Sequence, residues 1–386
     1  MKDFQFYNPT RIVFGAGSIA KVKKLIPRTA RVLMLYGGGS IKKNGVYMQV
    51  ADALRKHELF EFGGIEPNPD YATLMKAVKS VKKNKINFLL AVGGGSVIDG
   101  AKFIAAAAHY QGDDPWDIVS QGAAVKKALP IGVVLTLPAT GSEMNHNSVI
   151  SNRAKGQKAS FGSEKVYPKF SILDPKVTYS LPQKQIRNGL VDAYVHILEQ
   201  YLTYPVGAEV QDRQAEGLLL AIHDIAERAL QTDPPDYDAR ANYMWVCTNA
   251  LNHLIGVGVP QDWSTHGIGH SLTALYGLSH AESLAVVLPW LLWYKREQKQ
   301  EKLLQFGYRV LDQKMQKYSE RIDRTIEALA AFFHSLGMPT TLTAYGLDPE
   351  QVAIEVQAKL EEEGFVRGEN RDITPAAAAT ILRLSR

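Results

Sequence analysis

A Gly-Gly-Gly-Ser sequence occurs twice in the first hundred residues, each time between an apolar run and a helical pattern. The copy at 37–40 follows the apolar run at 31–35, and the copy at 93–96 follows the run at 87–92. A strand, a glycine turn and a helix form a βα unit, and repeated βα units build a parallel sheet covered by helices. The pattern therefore predicts a Rossmann-like α/β domain, with a further strand at 132–138 and a helix at 71–84.

The residue composition changes near Leu181–Pro182. Beyond this point, three long stretches are rich in Ala, Leu, Glu, Gln, Lys and Arg, which favour helices. These stretches are residues 185–230, 236–256 and 300–336. We therefore predict two domains, an α/β domain at 1–182 and an all-helical domain at 183–386.

Composition narrows the class of protein. With 386 residues, 46% hydrophobic and 22% charged, the chain is predicted to be globular rather than disordered. The single cysteine, Cys247, excludes an intrachain disulfide framework and a cysteine zinc cage, and it favours the reducing cytoplasm. The first ten residues have no apolar signal-peptide segment, and the uncharged run at 243–261 contains two asparagines and a histidine. We therefore expect a soluble cytoplasmic protein without a membrane partner.

Positive charge is concentrated in the first domain. Residues 1–180 carry 25 Lys and Arg against 13 Asp and Glu, whereas residues 181–386 carry 19 against 26. A basic domain attracts phosphate-bearing ligands, nucleic acids or membrane surfaces. Because the basic residues are scattered and the glycine turns offer a better anion site, we expect no nucleic acid partner. A solvated basic face without a ligand stays open as an alternative.

The two Gly-Gly-Gly-Ser turns suit the two ends of a dinucleotide. Glycines let the backbone approach a phosphate, and a helix N-terminus adds free N–H donors and the positive end of its dipole. Neither turn matches G-x-G-x-x-G, and the sequence at 15–20 that matches its alanine variant lacks the acidic residue expected about 20 positions later. We interpret residues 15–20 as a tight turn. The alternative, that both Gly-Gly-Gly-Ser sequences are only tight turns, is less favoured because they recur in register.

The first of these turns favours NADP over NAD. Where NAD enzymes place an acidic residue after the first βα strand, this chain has residues 36–40, Tyr-Gly-Gly-Gly-Ser. A 2′-phosphate would meet no carboxylate in that turn and would lie within reach of Ser40, Lys42 or Lys43.

A carboxylate and three imidazoles of the second domain predict a metal site. Asp192 and His196 are four residues apart on a predicted helix and project from one face. His266, His270 and His280 follow within fifteen residues. Such ligands suit Fe²⁺, Zn²⁺, Co²⁺ or Mn²⁺. Each piece also has an ordinary explanation, a helical hydrogen bond or a buried structural histidine, but the density of the cluster favours a metal.

Together these motifs resemble the iron-containing (group III) metal-dependent alcohol dehydrogenases. The similarity runs from FGAGSI at 14–19, through AVGGGSVIDGAK at 91–102 and LPATGSE at 137–143, to VDAYVH at 191–196 and THGIGHSL at 265–272. The details are similar to the NADPH-dependent aldehyde reductase or butanol dehydrogenase branch. The resemblance implies a dehydroquinate synthase-like fold, in which a Rossmann-like α/β domain precedes an all-α domain, and it suggests a homodimer.

The resemblance also implies roles for individual residues. The metal ligands would be Asp192, His196, His266 and His280. His270 would lie close to the nicotinamide and the substrate as the catalytic residue. The pyrophosphate loop would comprise Gly94, Gly95, Ser96, Val97 and Asp99. Gly38 and Ser40 would hold the adenosine ribose end, in the turn that includes Gly37 and Gly39. Contacts with the remainder of the dinucleotide would come from Asn68, Thr136, Thr140, Asn145 and Lys158.

The implied function is a metal-dependent NADP(H) oxidoreductase that interconverts small aldehydes and primary alcohols, favours aldehyde reduction and accepts a broad range of substrates. Its cofactors would be NADP(H) and one divalent metal, Fe²⁺ or Zn²⁺. The alternative is a lyase or cyclase resembling dehydroquinate synthase, which uses nicotinamide only transiently. That enzyme class would need more basic residues near the metal than the sequence provides. A non-enzymatic metal-binding or nucleotide-sensing protein is a third, weaker possibility.

Overall fold

The computed structural model describes residues 1–313 and 318–386. The chain forms two compact units. The sheet unit comprises Tyr7–Pro182 and Gln231–Asn252, and the helical unit comprises Met1–Phe6, Gln183–Leu230 and His253–Arg386. Within the described ranges, no helix combines the length and the apolar character that a bilayer span requires.

A parallel six-stranded sheet organises the sheet unit. Its strands are β1 (Arg11–Phe14), β2 (Arg31–Leu35), β3 (Glu58–Phe62), β4 (Phe88–Gly94), β5 (Ile131–Leu137) and β8 (Phe170–Leu173). An antiparallel hairpin is formed by β6 (Asn147–Asn152) and β7 (Gln157–Gly162). The three strands predicted from apolar runs are present as β2, β4 and β5. Their interior side chains are apolar and buried on both faces, as expected where helices cover a parallel sheet.

The strand order, β1-β8-β5-β4-β2-β3, places a topological switch point between β2 and β4. After β2 the chain crosses over to β3 on one side, whereas after β4 it crosses over to β5 on the other. Loops that leave adjacent strands in opposite directions open a crevice at the carboxyl end of a sheet. Both Gly-Gly-Gly-Ser turns follow these two strands, so they flank that crevice.

The helices of the sheet unit are α1 (Val22–Leu25), α2 (Ser40–Lys43), α3 (Val46–Ala53), α4 (Tyr71–Lys83), α5 (Gly95–Ala107), α6 (Asp117–Ser120) and α9 (Tyr237–Ala250). Those of the helical unit are α7 (Gln183–Tyr201), α8 (Glu209–Leu230), α10 (Ser264–Tyr276), α11 (His280–Tyr294), α12 (Gln300–Arg309), α13 (Tyr318–Ser335), α14 (Pro349–Glu362) and α15 (Pro375–Leu384). The predicted helix at 71–84 is present as α4.

The units divide at residue 182, where the sequence places the domain boundary, but two segments differ from the predicted ranges. Residues 1–6 lie in the helical unit, and residues 231–252 lie in the sheet unit. The second segment contains α9, whose hydrogen bonds explain the difference. Tyr243 donates to the carbonyl of Pro138, and the Thr248 hydroxyl donates to Glu143 at 2.6 Å. Composition identified α9 as a helix but carried no information on which layer it covers.

Candidate functional site

One face of α7 carries three buried polar residues of the helical unit. Asp192, His196 and Glu199 are spaced by four and three residues, which places them in a row on the same face of the helix. Each is at most 5% exposed, in a helix whose other buried side chains are mostly apolar. Burying polar groups in this way is costly unless each has a partner or a ligand.

A tight turn brings two further histidine-bearing segments together. Helix α10 carries His266 and ends at Gly277, whose φ of 71° lies in the left-handed region that glycine adopts readily. Three residues later α11 begins at His280, behind a capping box formed by Ser279 and Glu282. The short turn returns the chain so that the rings of His266 and His280 lie 5.2 Å apart.

Three imidazole side chains converge on one carboxylate oxygen. Asp192 Oδ1 lies 3.7 Å from His196 Nδ1, 3.9 Å from His266 Nε2 and 3.5 Å from His280 Nε2. These distances are longer than ordinary hydrogen bonds. Tetrahedral ligands with bonds of about 2.1 Å lie about 3.4 Å from one another. The separations from Asp192 Oδ1 are therefore of the size expected between ligands of a shared metal ion.

The protonation state of His196 suits this role. Burial lowers the pKa of His196 to about 4, so the ring is neutral near pH 7 and offers a lone pair. Within residues 1–313 and 318–386, the buried Nδ1 of His196 has no hydrogen-bond partner. A cation beside the buried carboxylate of Asp192 would satisfy this nitrogen. Among the residues that the structure describes, Asp192, His196 and His266 form a group whose ligand atoms all lie within 4.8 Å of one another. That His280 is the fourth ligand stays a prediction.

Glu199 supports this cluster and was not predicted from the sequence. Its carboxylate contacts Nδ1 of His266 and accepts a 2.7 Å hydrogen bond from the amide of Thr265. Burial raises the pKa of Glu199 well above its usual range, and the nearby charge of Asp262 acts in the same direction. The sequence did hold a signal, since Glu199 follows Asp192 and His196 at helical spacing.

His270 and Trp263 border the cluster. The ring of His270 lies 5.5 Å from that of His280 and 6.4 Å from that of His266, so the predicted catalytic histidine is adjacent to the predicted ligands. Trp263 precedes α10 with a φ of 63°, an uncommon conformation for a bulky residue. This conformation holds its ring 5.3 Å from His266 and 6.2 Å from His196.

In the sheet unit, the second glycine turn packs too tightly for any side chain. A Cβ atom on Gly93 would lie 2.6 Å from Val97, one on Gly94 would lie 3.0 Å from Leu137, and one on Gly95 would lie 2.5 Å from Thr140 Oγ1. Helix α5 begins at Gly95, so its first amides point toward the crevice at the switch point. The predicted phosphate loop therefore has the backbone geometry of an anion site.

The first glycine turn has an acidic neighbour that the sequence did not reveal. Gly38 and Ser40 are exposed, and Gly39 adopts a φ of 91° at the start of α2. Glu61, at the end of β3, lies 3.5 Å from Lys42 Nζ and accepts hydrogen bonds from the hydroxyls of two tyrosines. The turn itself lacks an acid, as predicted, but Glu61 is brought beside it by strand pairing. Its charge is paired with that of Lys42.

Two residues predicted to contact the cofactor, Asp99 and Asn145, form hydrogen bonds within the protein. Asp99 accepts hydrogen bonds from Ser142 Oγ at 2.6 Å and from the amide of Val149 at 2.9 Å. Asn145 is buried, accepts from the ammonium of Lys102 at 3.0 Å and donates to the carbonyls of Gly141 and Leu251. The structure thus gives both side chains a role in holding the loop after β5. Their direct contact with the dinucleotide stays a prediction.

Lys102 is fully buried beneath this loop and was not predicted either. Its ammonium donates to Ser142, Asn145 and the carbonyl of Asn147 over 2.7–3.0 Å. Burial lowers the pKa of Lys102 to about 8, although the charge of Asp99 opposes this change. A lysine within a predicted helix is ordinarily interpreted as a surface residue, so sequence spacing gave no signal for it.

The remaining predicted cofactor residues lie in the same unit. Lys158, on β7, donates a 2.9 Å hydrogen bond to Asn68, which has a φ of 54°. Thr136 is buried on β5, and Thr140 follows the same strand against Gly95. Val97 is buried, with its methyl groups against Gly93. Contact of these residues with a dinucleotide stays a prediction.

Comparison with known proteins identifies the family. Residues 9–175 match the family model described as iron-containing alcohol dehydrogenase, and residues 187–384 match the C-terminal model of the same family. The chain belongs to the iron-containing alcohol dehydrogenase family. The predicted family is therefore confirmed, and the alternative of a dehydroquinate synthase-like enzyme is not favoured.

Individual relatives agree with this assignment. The chain is 54% identical to the NADPH-dependent aldehyde reductase YqhD of Escherichia coli, and the alignment covers all of both proteins. It is 43% identical to NADP-dependent alcohol dehydrogenase 3 of Entamoeba histolytica, over 99% of this chain and 98% of that protein. The crystal structure of E. coli YqhD matches with a TM-score of 0.97 at 53% identity, over 100% of this chain and 99% of that one. The predicted fold class is confirmed.

Proposed function

We propose that this enzyme reduces small aldehydes to primary alcohols with NADPH, and that it carries out the reverse oxidation less readily. The observation that carries the proposal is the convergence of three imidazole nitrogens on Asp192 Oδ1 at 3.5–3.9 Å. The proposal is also supported by a relative, 54% identical over its full length, that is an NADPH-dependent aldehyde reductase.

The metal centre would be formed by Asp192, His196, His266 and His280. A bound divalent cation supplies Lewis-acid polarisation of the aldehyde oxygen, and reduced nicotinamide supplies the hydride. The chain would contribute a ligand set of charge −1, because three neutral imidazoles and one carboxylate would face the cation. His270, beside His280, holds a proton at a ring nitrogen for transfer to the substrate oxygen.

The sheet unit would hold the dinucleotide. The N-terminus of α5 provides backbone donors for the pyrophosphate at Gly94, Gly95 and Ser96. At the other turn, the exposed backbone of Gly38 and the hydroxyl of Ser40 would receive the adenosine ribose and its 2′-phosphate. The predicted preference for NADP follows from the absence of a carboxylate within this turn.

The proposal is tested by steady-state kinetics on metal-loaded protein. Butanal, an aromatic aldehyde and a dicarbonyl are each supplied with NADPH or NADH, and nicotinamide absorbance is followed. We expect turnover with several aldehydes and a higher kcat/KM with NADPH. An Asp192→Asn variant with intact folding provides the matched inactive control. The proposal is wrong if metal-loaded wild-type protein oxidises no NADPH with any of these aldehydes.

We also propose that the enzyme is a homodimer of the reducing cytoplasm. Strand β1 lies at one edge of the sheet, and edge strands readily pair with a second chain. Tyr7 and Phe14 are exposed beside this edge and would be covered in a dimer. Cys247 is buried, which is compatible with a reducing compartment. Light scattering coupled to size exclusion should give twice the mass of one chain, and a monomer would contradict the dimer.

A further inference from the structure

Glu199 connects the α7 face that carries Asp192 and His196 to the start of α10. Its carboxylate oxygen Oε2 contacts Nδ1 of His266, while Oε1 accepts a 2.7 Å hydrogen bond from the amide of Thr265. Its backbone carbonyl accepts a 2.9 Å hydrogen bond from the amide of Asp262. One residue therefore fixes both the imidazole of His266 and the backbone that carries it.

The contact also determines which nitrogen of His266 is available. Because Nδ1 faces Glu199, Nε2 is the nitrogen directed at Asp192 Oδ1, 3.9 Å away. A carboxylate on the far nitrogen of a metal-binding histidine fixes its tautomer and ring orientation and raises its basicity. This arrangement is a carboxylate–histidine pair, placed where a metal would complete it.

We propose that Glu199 is a positioning residue of the metal centre, which holds His266 so that Nε2 faces the metal. The inference rests on the metal-dependent function proposed above. It assigns to Glu199 an effect on metal affinity and coordination geometry, and no contact with substrate or cofactor.

Charge gives a second reason to include Glu199 in the centre. Glu199 and Asp192 are each 3% exposed, so two carboxylates are buried close to the imidazoles of the cluster. A divalent cation at the cluster would favour the charged forms of both carboxylates. The next buried carboxylate, Asp262, is paired separately with the ammonium of Lys299 at 2.9 Å, which also binds Glu369 at 2.7 Å.

The competing explanation is that Glu199 only caps α10. A carboxylate near the first amides of a helix stabilises it whether or not a metal is present. Asp262 already contributes such a cap, because it accepts a 3.0 Å hydrogen bond from the amide of Ser264. A capping role changes the stability of metal-free protein, whereas a positioning role changes metal affinity and the geometry of coordination. The two roles are thus separable by experiment.

The test measures Co²⁺ binding to metal-free full-length protein by chelator competition and by the visible absorption of bound Co²⁺. The variants are Glu199→Gln and the shorter Glu199→Asp, which keeps the charge. The control is Glu216→Gln, which removes a carboxylate that is also 3% exposed in the helical unit and is bound by Tyr201, Gln305 and Arg309. Circular dichroism and the Tm of metal-free protein report folding in every case.

We expect Glu199→Gln to weaken Co²⁺ binding about 10- to 100-fold and to alter the Co²⁺ absorption bands. The Co²⁺ affinity of Glu199→Asp should lie between those of this variant and the wild type. If Glu199→Gln does not fold, the affinity of Glu199→Asp decides the test. Glu216→Gln should lower the Tm while leaving Co²⁺ affinity unchanged. The inference is overturned if folded Glu199 variants bind Co²⁺ with wild-type affinity and spectrum, or if the control loses as much affinity. Wild-type protein that binds no Co²⁺ would instead overturn the proposed metal-dependent function and this inference together.

Discussion

The substitution Gly95→Ala tests the geometry of the predicted phosphate loop. The added Cβ would lie 2.5 Å from Thr140 Oγ1 and 2.6 Å from Thr140 Cγ2, whereas ordinary contact begins at 3.4 Å. The loop or Thr140 must therefore move by about 0.9 Å. Overpacking of this kind costs about 1–3 kcal/mol. If the loop opens to relieve the contact, cofactor binding is weakened by that free energy.

Since about 1.4 kcal/mol corresponds to a tenfold change in Kd, a cost of this size would weaken NADPH binding by about 5- to 150-fold. The assay is the Kd for NADPH, measured by quenching of protein fluorescence, together with kcat/KM for NADPH. Metal content should stay at the wild-type value, because the metal ligands belong to the helical unit. Gly217→Ala is the matched control, since a Cβ at that position of α8 meets nothing within 4 Å.

A double variant, Gly95→Ala with Thr140→Ala, separates steric from chemical effects. The Thr140→Ala change removes Oγ1 and Cγ2. The Cβ added at residue 95 would then meet Thr140 Cβ, at 3.1 Å. The double variant should therefore bind NADPH more tightly than Gly95→Ala alone. Wild-type NADPH affinity in Gly95→Ala would refute the conclusion that this loop is held against Thr140 to bind the cofactor.

Three further perturbations address the metal and the cofactor. Asp192→Asn should abolish stoichiometric metal binding, seen by elemental analysis, but leave the NADPH Kd unchanged; retained metal would exclude Asp192 as a ligand. Ser40→Asp should lower the ratio of kcat/KM for NADPH to that for NADH about 10-fold or more. The reason is that a carboxylate 4 Å from the 2′-phosphate is repelled by about 1 kcal/mol per unit charge even in water. An unchanged ratio would place the 2′-phosphate elsewhere. Lys158→Met should weaken NADPH and NADH binding alike by several-fold, since it removes an ammonium predicted to contact the part that both dinucleotides share. Titration with both cofactors distinguishes this result from an effect on the 2′-phosphate alone.

The sequence contained enough information to place the sheet and its glycine turns. Apolar runs bounded by glycines predicted β2, β4 and β5 to within two residues, because buried parallel strands need apolar side chains on both faces. Helical spacing also placed Asp192 and His196 on one face. The proximity of His280 to His266 depends on the turn at Gly277. The family resemblance indicated this proximity, whereas the spacing of the histidines did not.

Other features depended on tertiary packing. Helix α9 has an ordinary helical composition, and only its hydrogen bonds to Pro138 and Glu143 place it in the sheet unit. Lys102 ends the motif at 91–102, but neither its burial nor the position of Glu61 beside the first glycine turn follows from the sequence, since both arise where the loop after β5 and the end of β3 fold back. Asp99 is predicted to belong to the pyrophosphate loop, and its hydrogen bonds to Ser142 and Val149 could not be foreseen because these residues are remote in sequence.

The central claim is that metal bound by the Asp192 cluster is required for NADPH-dependent aldehyde reduction. The most direct measurement is butanal reduction by chelator-treated protein to which Fe²⁺ or Zn²⁺ is returned in steps, with bound metal quantified at each step. The claim predicts that treated protein is inactive and that activity rises in proportion to bound metal up to one equivalent per chain. Full activity in protein shown to be free of metal would contradict it.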